Sequence, residues 1–136
     1  MFTLICNDNG ELTNVTAEQS GRAIAVTVST GAVLPARNLN DAIKKAAGVV
    51  GPLLEHARRG QWGLYVSAGD VSALFGEFPP GPAAPVISGP PARPSSEVAR
   101  IHDQWARRDG TAEGALDAAI KIIRIYGERP ARGQAA

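Results

Sequence analysis

Seven of the chain's ten prolines fall between residues 79 and 94: Pro79, Pro80, Pro82, Pro85, Pro90, Pro91 and Pro94. Proline fixes its own φ and lacks the N–H that a helix interior or an inner strand needs. The stretch therefore divides the chain. Its only charge is Arg93. The expected organisation is an α+β core domain over 1–78, a Pro-rich linker over 79–94, a helical hairpin arm over 95–127 and a flexible tail over 128–136. A linker of that length in polyproline-like conformation reaches up to roughly 50 Å, further than a domain needs to cross its own sheet.

In the first segment, Asn9-Gly10 between alternating apolar residues is a hairpin signal, because both central residues of the tight turn take positive φ. A two-residue loop there sets Phe2 opposite Ala17, Leu4 opposite Val15 and Cys6 opposite Thr13. Asp8 opposite Glu11 is a like-charge conflict at the tip. A strand over Arg22–Ser29 alternates cleanly, and Thr30 to Pro35 reads as a loop or short strand. A helix starts near Asn38 or Asn40, with Leu39, Ile43, Ala46, Val50, Leu54 and Ala57 on its buried face. Gly51-Pro52 predicts a kink there, or two short helices. Gln61–Ser67 is a further strand, and Asp70 to Phe75 reads as a helical turn capped by Asp70. The fold class is α+β. A small, mostly antiparallel sheet, made of the N-terminal hairpin plus two further strands, packs on one kinked helix.

In the second segment, Ser95 or Ser96 starts a helix with Val98, Ile101 and Trp105 on one face, stopped by Asp109-Gly110. Thr111 caps a final helix. Its expected apolar face is Leu116, Ile120, Ile123 and Tyr126, widened by Ile122 and Ile125, and Gly127 ends it.

The strands carry one informative anomaly. Phe2, Leu4, Val15, Ile24, Val26, Val28, Trp62, Leu64 and Val66 form one large apolar face. The opposite face holds Thr3, Ile5, Ala23, Ala25, Thr27, Gly63 and Tyr65, with Arg22 charged only at a strand end. A wetted antiparallel face normally carries charges, so the second face is expected to be covered. The C-terminal helical pair is the expected cover, either folding back over its own sheet or carried by the linker to a neighbouring subunit or partner.

Chemical motifs are scarce. Asn7-Asp8-Asn9-Gly10-Glu11 fails the calcium-loop spacing, which would put Ile5 and Thr16 at ligand positions. His56 and His102 have no second His or Cys at ligand spacing. Ser67 lacks the preceding glycine of a nucleophile elbow, since Tyr65 stands there. No phosphate-loop run of glycines occurs. Cys6, the single cysteine, excludes an intrachain disulfide and sits on the expected core face. No catalytic residue, metal or cofactor is expected.

A net charge of +1 gives no strong footprint for nucleic acid or a membrane. No signal peptide or 20-residue apolar span is visible, so a cytoplasmic location is expected. The leading expectation is a non-enzymatic protein–protein interaction or assembly module, with a protein partner or homo-oligomer. It would use the second sheet face (Ile5, Ala23, Ala25, Thr27, Tyr65) and the helical arm. On the arm, Trp105, Arg107, Arg108, Ile101 and Tyr126 are the candidate contacts, Trp and Arg being frequent interface anchors. The alternative for Trp105 is packing on Leu116 and Ile120 inside the hairpin.

Two other functions stay open. One is a small enzyme or ligand-binding domain with a pocket over Ala23, Ala25 and Gly63. The other is weak nucleic-acid binding through Arg100, Arg107, Arg108, Lys121, Arg124, Arg129 and Arg132, opposed by Asp103, Asp109, Glu113 and Asp117 in the same segment.

Overall fold

The computed structural model describes residues 1–56, 62–69, 71–76, 96–108 and 110–127. The Pro-rich linker at 79–94, the tail at 128–136 and the Asp70 and Asp109 positions lie outside the described residues. The chain is α+β, with six antiparallel strands and three helices among the described residues. In chain order these are β1 (Phe2–Asp8), β2 (Glu11–Ser20), β3 (Ala23–Val28), β4 (Val33–Ala36), α1 (Leu39–His56), β5 (Trp62–Ala68), β6 (Val71–Gly76), α2 (Ser96–Arg108) and α3 (Ala112–Tyr126).

The order across the sheet is β4-β3-β2-β1-β5-β6. The first four strands form a meander. Helix α1 then crosses back so that β5 pairs with β1. Asn9 (φ 54) and Gly10 (φ 98) make the positive-φ turn that their sequence calls for. The β1–β2 register is the expected one, down to Asp8 opposite Glu11.

Two features correct the sequence expectation. Residues 71–76 form strand β6, not a helical turn, and pair with β5 from Ala68↔Val71 to Gly63↔Gly76. With β4 as the short strand after Gly31, the sheet has two strands more than the four expected. Of the two outcomes expected at Gly51-Pro52, the break into two short helices does not occur: α1 is one helix with Pro52 inside it. The carbonyl that proline crowds belongs to Gly48, which is exposed, so water can take the lost hydrogen bond. At its start Asn38 Oδ1 accepts from Asp41 N (2.9 Å), and Asp41 Oδ2 accepts from Arg37 N (3.0 Å). Asn38, rather than Asn40, is thus the N-cap.

All three helices lie on one face of the sheet. Helix α1 covers β1 to β4, α3 lies beside α1 over β5 and β6, and α2 sits outside α3 against β6. One continuous core joins Phe2, Leu4, Cys6, Val15, Val26, Leu64, Val66 and Phe75 to Ala46 and Val50 of α1 and to Ile122 and Ile123 of α3. Helix α3 turns its small residues Ala115, Ala118 and Ala119 into this core, while Leu116, Ile120 and Ile125 lie on its flanks. Small side chains let the helix come close to the sheet, and the larger ones fill the seams beside it. Leu116 reaches toward Gly51 of α1. At the far end, a methyl group on Gly69 (φ 58) would sit 2.7 Å from the Tyr126 carbonyl oxygen, so glycine is what lets the β5–β6 turn touch the end of α3.

Candidate functional site: the open face of the sheet

The helices do not cover the face they were expected to cover. They fold onto their own sheet, but on the large apolar face already shared with α1. The second face carries no helix among the described residues. Its buried members are Asn7 and Gly63; every other buried strand residue belongs to the helix-covered face. The reason is size. The wide apolar stripes of α1, α2 and α3 gain more by sharing the face rich in Val, Leu, Ile and Phe than by covering hydroxyls and alanines.

Strand register arranges the second face in rows. One row runs Ser72, Ser67, Thr3, Thr16, Thr27 and Val33 across all six strands. Within it the Thr3 and Thr16 hydroxyls lie 3.5 Å apart. The next row runs Leu74, Tyr65, Ile5 and Asn14. Ala25 and Pro35 face each other with Glu18 beside them, and Ala23 lies at the end of β3. Glu18 is the only charged residue among the described members of this face. Val33 (60% exposed) and Leu74 (47%) are the exposed large apolar side chains of the described chain, and both stand on this face, at opposite edges.

The expected face residues fall as follows. Ala23 and Thr27 are exposed, while Ile5, Ala25 and Tyr65 are half-buried by their neighbours. Thr16, Glu18, Ser67, Ser72, Val33 and Leu74 join the face beyond the residues that the sequence pattern assigns to it. Thr16 and Ser67 were accessible from the hairpin register and from alternation along β5. Ser72 and Leu74 were hidden because their strand resembled a capped turn.

Each sheet edge has one backbone carbonyl taken by a side chain. At β4, Pro35 offers no N–H and its carbonyl accepts from Lys45 Nζ, which also pairs with Asp41 at 3.3 Å. At β6, His102 Nε2 donates to the Leu74 carbonyl at 2.9 Å. Such contacts hinder strand addition there.

The expected contacts on the C-terminal helices are dispersed. Ile101 and Tyr126 are buried in the chain's own core. Trp105 and Ile120 both line the groove between α2 and α3. Trp105 also joins an aromatic cluster with Trp62 (centroids 6.0 Å), Phe75 (5.0 Å) and His102 (5.3 Å), and its Nε1 donates to the Thr111 carbonyl at 2.8 Å. The cluster fixes α2 to the sheet edge, because β6 presents Phe75 there as a strand residue. Arg107 pairs with Asp103 at 3.1 Å and Arg100 with Glu97 at 3.2 Å. Arg108 lines the same groove, of about 600 Å³, with Lys121 and Arg124 and with Asp117 among them. The groove is able to hold an anionic group, but Asp117 opposes it.

Cys6 is fully buried, and burial, with a smaller push from Asp8, drives its thiol up to about 12. It is no nucleophile in this setting. Among the described residues no three His, Cys, Asp or Glu side chains gather as a metal site, and no helix is long and apolar enough to cross a membrane. No protein-family model, curated protein or solved structure matches the chain.

Proposed function

We propose that the chain is a non-enzymatic docking module that binds another protein surface through the open face of its sheet. The observation that carries this is the combination on that face of a single charge with two exposed large apolar side chains, across six paired strands. Solvated antiparallel faces alternate to polar residues; that this one is almost wholly hydroxyl, small or apolar, with one described charge, supports a contact role. The carbonyls taken at the edges favour contact by the face over contact by strand addition. Helices α2 and α3 serve this role by stiffening the β5–β6 side from behind, not as a detached arm.

A photo-crosslinking residue at Tyr65, installed in the full chain in its native cells, tests this. The expected product is a discrete crosslinked species that mass spectrometry identifies, absent when the probe sits at Lys44 on α1 and lost on adding Thr16→Arg. Equal crosslinking from both positions, or none from Tyr65, would overturn the proposal.

A further inference from the structure

We infer that the occupant of the open face is a second copy of this chain, packed face to face about a two-fold axis parallel to the strands. This rests on the docking role proposed above and names its partner.

The geometry starts from strand order. With β4-β3-β2-β1-β5-β6 as the order, such an axis passes between β2 and β1. It lays β1 of one copy over β2 of the other, β5 over β3, and β6 over β4. Thr3 then meets Thr16 of the second copy, and Ser67 meets Thr27, because all four stand in one row. A hydroxyl both donates and accepts, so rows of hydroxyls satisfy one another across a two-fold axis. A row of like charges would not.

The apolar side chains fit the same operation. Val33 of one copy falls over Ser72 of the other, one row, or about 7 Å, from Leu74 on the same strand. The two exposed apolar side chains, at opposite edges of one chain, thereby lie at the same edge of the dimer, one row apart, twice per dimer. Each stays exposed in a lone chain. Isologous contacts of this kind close on themselves and stop at two copies.

Size and electrostatics agree. Six strands at about 4.8 Å spacing and about six residues of strand length give a footprint of about 600 Å² per copy, or about 1,200 Å² in all. That is the lower end of stable interfaces, so a dissociable dimer is expected rather than an obligate one. With Glu18 as the only described charge on the face, two copies approach without strong repulsion. Paired sheets settle with their strands within about 30° of each other.

Sedimentation velocity on the full chain, from low to high micromolar concentration, tests the inference. The expected mass rises toward twice 14.2 kDa. Thr16→Arg, Val33→Glu and Leu74→Lys each return the chain to monomer with unchanged circular dichroism. Mixing Val33→Glu with Leu74→Lys restores a heterodimer, because the carboxylate introduced on β4 of one copy then lies near the ammonium introduced on β6 of the other.

A wild type that stays monomeric overturns the inference. So does a dimer that survives Thr16→Arg, or a dimer whose two edge variants fail to complement. If the chain is monomeric alone while the Tyr65 probe still captures a different identified protein, only the second copy is wrong and the docking role stands. If both experiments are negative, both fall.

Discussion

The two faces of one sheet are built from the same strands, yet they have opposite chemistry. In β3, Val26 is fully buried under the helices and its neighbour Thr27 is exposed. In β1, Leu4 and Cys6 point into the core and Thr3 and Ile5 away from it. The covered face is selected for volume and dryness. The open face is polar and small, with Glu18 as its one described charge. That difference teaches that large side chains, not the absence of charge, decide which surface the chain buries by itself.

The strongest way to break the comparison is to remove bulk from the covered face. Phe75 is fully buried, stacks on His102 with centroids 5.0 Å apart, and meets Trp105 edge-on at 5.0 Å. Phe75→Ala removes the ring on which α2 rests. The expected loss is about 3–5 kcal/mol in urea unfolding, together with altered tryptophan fluorescence as Trp105 loses its seat. A loss below about 1 kcal/mol would show that α2 is not part of the cooperative core.

Cys6 sharpens the comparison through pH. Its thiol ordinarily ionises near 9.0 and is pushed up to about 12 in the folded chain, first by burial and then by Asp8. The folded pKa is the higher one, so the folded state holds its proton longer than the unfolded state does. The stability linked to this group is complete below about 9 and is lost as pH rises from there toward about 12. Thiolate absorbance is therefore expected to stay absent in the native chain past the pH at which the urea-unfolded chain titrates. The urea midpoint of the wild type should also fall more steeply over that window than that of Cys6→Ala. Native titration near the ordinary value would mean that this face is wet.

Much of this fold was legible because local chemistry decided it. Asn9-Gly10 fixed a register, Asn38 and Thr111 were cap residues at their helix starts, and Thr111 Oγ1 accepts from Gly114 N at 3.0 Å. What was not legible depended on competition between distant parts. Val71 to Phe75 mixes apolar and small residues after a cap-like Asp70, and only pairing with β5 makes it a strand. In α3, Leu116 and Ile120 have the larger side chains, but the alanine ridge wins the central position because close approach gives more contact than bulk at a distance. That the second face is poor in charge was readable, although its one described charge, Glu18 on β2, was not included. Which element would avoid that face was not, since that depended on three helices fitting together on the other side.

The smallest expected effect is also the most direct comparison, because it exchanges nearly isosteric residues at adjacent positions of one strand. Val26→Thr puts a hydroxyl into the core with no polar group provided for it, and should cost about 1–3 kcal/mol. Thr27→Val removes a hydroxyl from a side chain that the lone chain leaves exposed. Measured in dilute solution, Thr27→Val should change stability by no more than about 0.5 kcal/mol. Its β-propensity is equal or better, so a small gain is as acceptable as a small loss. The pair of values, not either one alone, separates the faces. If Thr27→Val costs as much as Val26→Thr, the hydroxyl row is already satisfied inside the single chain. The open face would then be a structural surface, with no need of any partner to cover it.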